Sequence, residues 1–313
     1  MSATAAILLL SVSTTLAPAE PAAGQESLAE AMRRQVPDGA ACLFDIEEGV
    51  VIASTGREIL LGDGRPVGSV MKIFTTYALL ATDAPSNEVY FCQASTPTVP
   101  ASETCWYRPG HGNMTLRSAL AHSCNAYFRQ WLHGKDLASA ERFLRELRLL
   151  DGELPDDPRR RAMALTGLSP ALRPRPVDLL AAAAALFNGG VLFSLSTAEE
   201  GERCAPLRAF VLDDEAVAAV RDGLRECAAA GTGRAAQDAV GLEPLLVKTG
   251  TSVRWTETGP DESATDGWCI ALHPAERPRV LLLVFAPRAN GSDGAAPAAG
   301  AIMRRYLRGG ESE

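Results

Sequence analysis

The sequence predicts an α+β fold: one antiparallel sheet made from both ends of the chain, flanked by terminal helices, with a large helical subdomain inserted between the two halves. Strand-like patterns occur near both termini, whereas helical patterns fill the middle of the chain. Apolar strand faces must be buried against another layer, so strands from the two ends are expected to share one sheet. A site is then expected in the cleft between the sheet and the helical part.

The strands are predicted from short apolar segments bounded by turn residues. At the N-terminal end, the candidates stand on either side of the turn Glu47-Glu48-Gly49 and are Ala40 to Ile46 and Val50 to Ser54. The C-terminal end has three candidates: Leu245 to Ser252, Trp268 to His273, and the fully apolar Val280 to Ala286. The terminal helices are predicted at Gln25 to Gln35 and at Ala296 to Leu307.

Helical periodicity in the middle of the chain predicts the inserted subdomain. Its helices are Ser69 to Ala81, Thr115 to His122, Asn125 to His133, Leu137 to Leu150, Val177 to Phe187 and Asp214 to Ala228. Residues 84–113 are rich in Pro, Ser and Thr and are predicted to be a loop. The folded domain is therefore placed at 26–313, with a sheet subdomain from about 26–65 and 240–313 and a helical subdomain over about 66–239.

Residues 1–25 are predicted to be a signal peptide. An apolar run from Ala5 to Leu10 is followed by Ala17-Pro18-Ala19, a segment typical of a cleavage site. No Lys or Arg precedes the run, and it is short for a membrane span, which needs about 20 apolar residues. We therefore expect an exported protein, periplasmic or secreted. An uncleaved anchor, giving peripheral or N-terminal membrane association, and a disordered tail are the alternatives.

Composition argues against two classes of function. The net charge of −8 argues against a nucleic-acid partner. Seven cysteines are present, none in a C-x-x-C pair, so neither a zinc site nor any other metal site is expected. In an exported protein disulfides are permitted, with Cys92–Cys105 the first candidate pair and Cys204–Cys227 the second; buried free thiols are the alternative. The four histidines also lack metal-binding spacing and are expected to be structural: His111, His122, His133 and His273.

Lysine is scarce, with only Lys72, Lys135 and Lys248 among the 30 basic residues. Arginine can replace lysine as a surface charge but cannot lose its proton, so the scarcity favours an amine-specific role for Lys72 and Lys248. Lys72 follows Ser69 by three residues at a predicted helix start, and positions i and i+3 share a helix face. A lysine of lowered pKa can activate a serine hydroxyl as a nucleophile. The alternative is an N-capping serine with a solvent-exposed lysine.

Two further short motifs carry polar side chains. Ser123-Cys124-Asn125 lies between two predicted helices and offers a hydroxyl and an amide for proton relay and amide binding; an ordinary capped junction is the alternative. Lys248-Thr249-Gly250-Thr251 ends an apolar strand. Lys248 and Gly250 share one strand face, so glycine leaves room for a ligand beside the amine. A strand running into a polar turn is the alternative.

The order Ser-x-x-Lys, Ser-x-Asn, Lys-Thr-Gly resembles the penicillin-binding protein transpeptidase and serine β-lactamase superfamily. Flanking segments are similar to the transpeptidase branch: Cys105-Trp106, Gly110-His111-Gly112, Pro176 to Gly190, and Gly231-Thr232-Gly233. The resemblance runs from about Ala40 to Met303, and it departs from the family pattern at Val67, where proline is usual. It implies a transpeptidase/β-lactamase-like fold in a bacterial envelope enzyme.

The resemblance also implies a role for each motif residue. Ser69 would be acylated by the D-Ala-D-Ala end of a peptidoglycan stem peptide or by an inhibitory β-lactam. Lys72 would be its base, Ser123 would pass the proton to the leaving group, and Asn125 would bind the substrate amide. Lys248, Thr249 and Thr251 would hold the substrate carboxylate beside Gly250. The backbone N–H groups of Ser69 and Thr251 would form the oxyanion hole, and no metal or organic cofactor would be needed.

Three functions are compatible with the motifs. The first is a DD-transpeptidase or DD-carboxypeptidase. The second is a serine β-lactamase, against which stand the absence of an E-x-x-L-N motif and the presence of Asn125 in the second motif. The third is a non-catalytic β-lactam- or peptidoglycan-binding module of the same fold, which the intact motifs disfavour.

Overall fold

A computed structural model describes residues 26–82, 84–96, 104–196, 199–256 and 259–309. The predicted signal peptide lies outside these residues. Strands from the two ends of the chain form one five-stranded antiparallel sheet: β1 (Ala40–Asp45), β2 (Val50–Thr55), β7 (Leu246–Thr256), β8 (Gly259–His273) and β9 (Val280–Ala286). Their order in the sheet is β2-β1-β9-β8-β7. The predicted α+β fold class is therefore confirmed.

The sheet buries side chains on both faces, which explains why β9 is apolar at every position. Alternate residues of a strand point to opposite faces. Leu281, Leu283 and Phe285 accordingly belong to one core, and Leu282 and Val284 belong to a second core on the other face. A strand covered on both sides reads as a continuous apolar run rather than an alternating one.

One face of the sheet is covered by helices from both ends of the chain. They are α1 (Leu28–Gln35), α10 (Arg234–Val240) and α11 (Ala296–Gly309). Met32 of α1 and Ile302 and Met303 of α11 are fully buried there. Helix α1 begins at a capping box in which Ser27 and Glu30 satisfy each other's backbone N–H groups.

The other face meets the helical part of the protein. Its helices are α2 (Arg57–Leu60), α3 (Lys72–Leu80), α4 (Leu116–Ala121), α5 (Asn125–Leu132), α6 (Ala138–Glu146), α7 (Pro158–Leu165), α8 (Pro176–Phe187) and α9 (Asp214–Ala230). A 3₁₀ turn, Gly68–Met71, leads into α3, and a π-helical turn, Gly291–Ala295, leads into α11. The proposed subdomain boundaries stay predictions.

Two small hairpins depart from the sequence prediction. Strands β3 (Tyr90–Cys92) and β4 (Gly112–Met114) pair within the segment expected to be a loop. Strands β5 (Val191–Ser194) and β6 (Ala205–Ala209) pair after α8. These strands are three to five residues long, too short for an alternating pattern to be distinguished from a loop. Among the described residues no helix is long and apolar enough to cross a membrane.

Candidate active site

Ser69 lies in the 3₁₀ turn that begins α3, at a point where the turn touches strand β7. Gly68 has a positive φ of 57°, and a Cβ atom there would come within 2.4 Å of the Thr251 carbonyl oxygen. Glycine is therefore required before Ser69 so that the turn can approach the strand. Residues three apart in a 3₁₀ turn lie on the same face, which directs Ser69 and Lys72 to the same side.

Lys72 is fully buried. Its Nζ donates hydrogen bonds to Asn125 Oδ1 at 2.7 Å and to the Ser123 carbonyl oxygen at 3.0 Å. Burial and the positive charge of Lys248 lower the pKa of Lys72 to about 7. Both causes disfavour the ammonium form, so an amine able to accept a proton is present near neutral pH.

Lys248 reaches the same place from strand β7 and is also fully buried. Its Nζ donates to Ser123 Oγ and to the Thr249 carbonyl oxygen, both at 2.9 Å. Burial lowers the pKa of Lys248 to about 8. Ser123 therefore joins the two lysines, the backbone carbonyl accepting from Lys72 and the hydroxyl from Lys248.

Ser123 adopts a left-handed backbone conformation with φ of 54° between α4 and α5. A non-glycine residue there costs of the order of 1–3 kcal/mol and is held by its surroundings. The next residue, Cys124, is the N-cap of α5, and its Sγ accepts a hydrogen bond from the Tyr127 backbone N–H at 3.4 Å. The sharp turn presents Ser123 and Asn125 to the two lysines.

Strand β7, which carries Lys248, Thr249 and Gly250, forms one wall of the site. A Cβ atom on Gly250 would lie 2.3 Å from the Val67 carbonyl oxygen, so glycine lets β7 contact the Ser69 turn. Thr249 Oγ1 lies 2.5 Å from Thr232 Oγ1. Thr251 is exposed, and its Oγ1 accepts from the Gly291 backbone N–H at 2.9 Å.

These motif residues line one cleft of about 390 Å³. The lining residues include Ser69, Ser123, Asn125, Thr249 and Thr251. Lys72 and Lys248 lie beneath it and contact Ser123. Other wall residues come from segments that the sequence analysis did not select: Pro66, Arg108, Gly167, Leu168, Ser169, Asn290, Ser292 and Asp293. No short motif marks these positions in the sequence.

The cysteines differ from expectation. All seven are free thiols and all are buried, so neither predicted disulfide is formed. Cys92, Cys105, His111 and Cys124 instead converge, with their ligand atoms all within 4.8 Å of one another. No zinc site was expected because no two cysteines form a C-x-x-C pair, but the fold brings three cysteines and a histidine from distant positions together. His111, predicted to be structural, belongs to this group.

Two buried amines contact Ser123, Lys72 through its carbonyl oxygen and Lys248 through its hydroxyl. Beside a second serine hydroxyl at the start of a helix, this is the kind of site that transfers acyl groups through serine. The sequence matches the family described as "Penicillin binding protein transpeptidase domain" over residues 39–308. The chain belongs to this family. No curated protein matches it.

Solved structures support the fold. The transpeptidase domain of penicillin-binding protein 3 from Burkholderia pseudomallei is 19% identical, with a TM-score of 0.72 over 91% of this chain and 92% of that one. A peptidoglycan glycosyltransferase from Burkholderia ambifaria is also 19% identical, with a TM-score of 0.72 over 91% and 94%. Penicillin-binding protein A from M. tuberculosis, solved as a ceftriaxone acyl-enzyme, is 19% identical, with a TM-score of 0.69 over 90% and 77%.

Proposed function

We propose that the protein is a penicillin-binding acyl-serine enzyme that acts on the D-Ala-D-Ala ends of peptidoglycan stem peptides, as a DD-transpeptidase or DD-carboxypeptidase. The observation that carries this proposal is the convergence of Lys72 and Lys248 on Ser123, in the cleft that Ser69 also lines. β-Lactams, which present a strained amide beside a carboxylate, are then expected to acylate Ser69 and act as inhibitors.

The acylation step begins with Lys72 as a neutral amine. Ser69 Oγ attacks the carbonyl carbon of the penultimate D-Ala while Lys72 takes the hydroxyl proton. Negative charge develops on the carbonyl oxygen, where the backbone N–H groups of Ser69 and Thr251 stabilise it; loss of one such donor costs about 2.7–4 kcal/mol. The close packing of Gly68 on the Thr251 backbone supports this pairing.

The leaving step breaks the C–N bond and releases the terminal D-Ala. Its nitrogen needs a proton, which Lys72 returns through the Ser123 hydroxyl. Lys248 stabilises the Ser123 oxygen by a hydrogen bond of 2.9 Å and, with Thr249 and Thr251, binds the terminal carboxylate. Asn125 holds the substrate amide and orients Lys72.

The acyl group on Ser69 is then transferred to an amine of a second stem peptide or to water. Transfer to an amine forms a cross-link, and transfer to water trims the peptide. Substrates of this kind occur in the bacterial envelope, so the proposal includes export to the periplasm or outside the cell. Peripheral or N-terminal membrane association belongs to the same proposal.

Mass spectrometry after incubation with a β-lactam tests the proposal. The wild-type protein is expected to gain one covalent adduct on Ser69, and Ser69→Ala is expected to gain none. Equal labelling of both proteins would contradict it. Rapid loss of the adduct with many cycles of drug hydrolysis would identify a β-lactamase, and failure of both β-lactams and peptide thioesters to acylate would identify a non-catalytic module.

A further inference from the structure

The strongest unexplained feature outside the catalytic groups is the cluster of Cys92, Cys105, His111 and Cys124. These four come from strand β3, the segment before β4 and the N-cap of α5. Cys105 Sγ lies 3.9 Å from Cys124 Sγ, and His111 Nδ1 lies 3.5 Å from both Cys92 Sγ and Cys105 Sγ. The catalytic mechanism uses none of the four side chains.

These separations match tetrahedral zinc coordination. Zinc binds thiolate sulfur at about 2.3 Å and imidazole nitrogen at about 2.0–2.1 Å, so ligand atoms at tetrahedral angles stand roughly 3.8 Å apart for two sulfurs and roughly 3.6 Å apart for sulfur and nitrogen. A disulfide would instead bring two of the sulfurs to about 2.05 Å and leave the third thiol and the imidazole without a role. Three thiols and one imidazole form a Cys₃His set, a frequent structural zinc site.

The surroundings also favour a closed metal site. Cys92 and Cys105 are each 1% exposed and Cys124 is fully buried, so a metal would be shielded from water. The Tyr127 backbone N–H donates to Cys124 Sγ, and such hydrogen bonds support metal-bound thiolates. The His111 ring contacts two aromatic neighbours, with its centroid 4.9 Å from that of Tyr107 and 5.6 Å from that of Trp106.

The cluster also has a structural task. Strands β3 and β4 are three residues each, and an isolated two-stranded hairpin is marginally stable in water. A metal joining Cys92 to Cys105 and His111 would fix β3 against residues 104–111, which lead into β4. Trp106, next to Cys105, lines the catalytic cleft, so the same link would hold one wall of the cleft.

Cys124 connects the cluster to the catalytic residues. It stands between Ser123 and Asn125, which together bind both buried lysines. We propose that Cys92, Cys105, His111 and Cys124 bind one Zn²⁺ ion, and that this ion holds the left-handed turn at Ser123 in place. Zinc binding displaces the thiol protons to solvent, and the four protein ligands leave no position for substrate, so zinc acts here as a structural ion.

Metal content of the purified full chain is the first test. Elemental analysis is expected to find about one zinc ion per chain in the wild type, lost in Cys105→Ser and retained in Cys204→Ala, which removes a buried thiol elsewhere. His111→Cys is expected to keep the metal, because Cys₄ sites also bind zinc. A wild-type protein that carries no zinc after refolding with Zn²⁺, or a Cys92–Cys105 disulfide in its place, would overturn the proposal.

Cobalt substitution gives a readout that does not depend on any variant folding. Wild-type protein stripped of metal and given Co²⁺ alone is expected to show the intense visible bands of a tetrahedral site and thiolate-to-metal charge transfer. A weak octahedral spectrum without charge transfer would contradict the Cys₃His assignment.

The positioning role is tested by hydrogen exchange before and after removal of zinc with a chelator. Residues 122–128 are expected to exchange faster without metal and to recover when Zn²⁺ is added, while β9 is unchanged. Unchanged exchange at 122–128 would overturn the positioning role. Neither metal content nor exchange depends on Ser69 chemistry, so a failure of the proposed acyl-enzyme function leaves these tests intact.

Discussion

Lys72 works as a base only if its amine spends a substantial fraction of the time without a proton at neutral pH. A solvent lysine does not, because its ordinary pKa is about 10.4. The structure supplies both causes of a lowered value, complete burial and the second amine of Lys248, and brings the pKa of Lys72 to about 7. The burial and the lowered pKa of Lys72 are what the amine-specific role predicted from the scarcity of lysine requires.

Replacement of Lys72 by methionine removes the amine while keeping a side chain of similar length. We expect Lys72→Met to fold and to be acylated by labelled penicillin about 10²–10⁴-fold more slowly, the usual contribution of a positioned proton acceptor. Lys135→Met is the matched control, because Lys135 is partly exposed and contacts Glu88 and the Trp131 ring rather than Ser123 or Asn125. Comparable acylation rates for Lys72→Met and the wild type would exclude Lys72 as the base.

The acylation rate is also expected to depend on pH. The neutral amine is the active form, so the rate should rise as pH increases through about 7, the pKa of Lys72. Removing the Lys248 charge by Lys248→Met makes protonated Lys72 less unfavourable, raises its pKa and moves this rise to higher pH. Stopped-flow measurement of the acylation rate across the pH range gives the pH at which the rate rises in the wild type and in Lys248→Met. A shift of the profile to lower pH in the variant would show that Lys248 does not act on Lys72 through its charge.

At the level of secondary-structure elements, the sequence predicts the structure well where a run of residues has one clear hydrophobic pattern. Strand β9 is fully apolar and was predicted with its observed bounds, Val280–Ala286. Helix α3 was expected to begin at Ser69, but its first turn is a 3₁₀ turn from Gly68, because Gly68 turns the backbone sharply to meet β7. The short helices α2, α7 and α10 were missed: α2 is a single turn, and α7 (PRRRAMAL) and α10 (RAAQDAV) contain too few large apolar residues to show a helical period.

The candidate site also has one part that the sequence predicts and one part that it does not. The three motifs could be located in sequence because each stands at the end of an element, where polar residues interrupt an apolar pattern. The cysteine cluster could not be located in this way. Its members are spread over the chain from Cys92 to Cys124, which are 32 residues apart, and no single element carries more than one of them. Only the pairing of β3 with β4 and the turn at Ser123 bring them together.

Contact between the Ser69 turn and strand β7 depends on the absence of a side chain at Gly250. Gly250→Ala would place a methyl group 2.3 Å from the Val67 carbonyl oxygen, which forces the strand away from the turn. We expect a loss of about 1–3 kcal/mol in the free energy of unfolding. A displacement of about 1 Å between Ser69 and Lys248 is expected to slow acylation about 10²-fold.

Gly152→Ala is the control for this substitution, because a Cβ atom at Gly152 meets no atom within 4 Å. Urea denaturation and labelled-penicillin kinetics measure the two effects. A Gly250→Ala protein with wild-type acylation kinetics would show that β7 need not touch the turn for the site to form.

Across the whole molecule, the sheet separates two hydrophobic cores, one on each of its faces. The core shared with the helical part includes residues that pack beneath the cleft, such as Met71 and Phe128. The core on the opposite face is built from α1, α10, α11 and the strand side chains that point to that face. Since both ends of the chain contribute strands, each core contributes to the stability of the entire sheet.

This separation predicts that stability and catalysis can be changed independently. Ile302 is fully buried in α11, on the face of the sheet away from the cleft. We expect Ile302→Ala to lower the free energy of unfolding by about 2–5 kcal/mol through lost apolar burial and the cavity left behind. Arg304→Ala, an exposed position on the same helix, serves as the control. Below the unfolding transition of the variant, the acylation rate should equal that of the wild type, because the sheet keeps Lys248 and Thr251 in place. A rate that falls with stability while the protein is still folded would show instead that packing of α11 is transmitted through the sheet to the site.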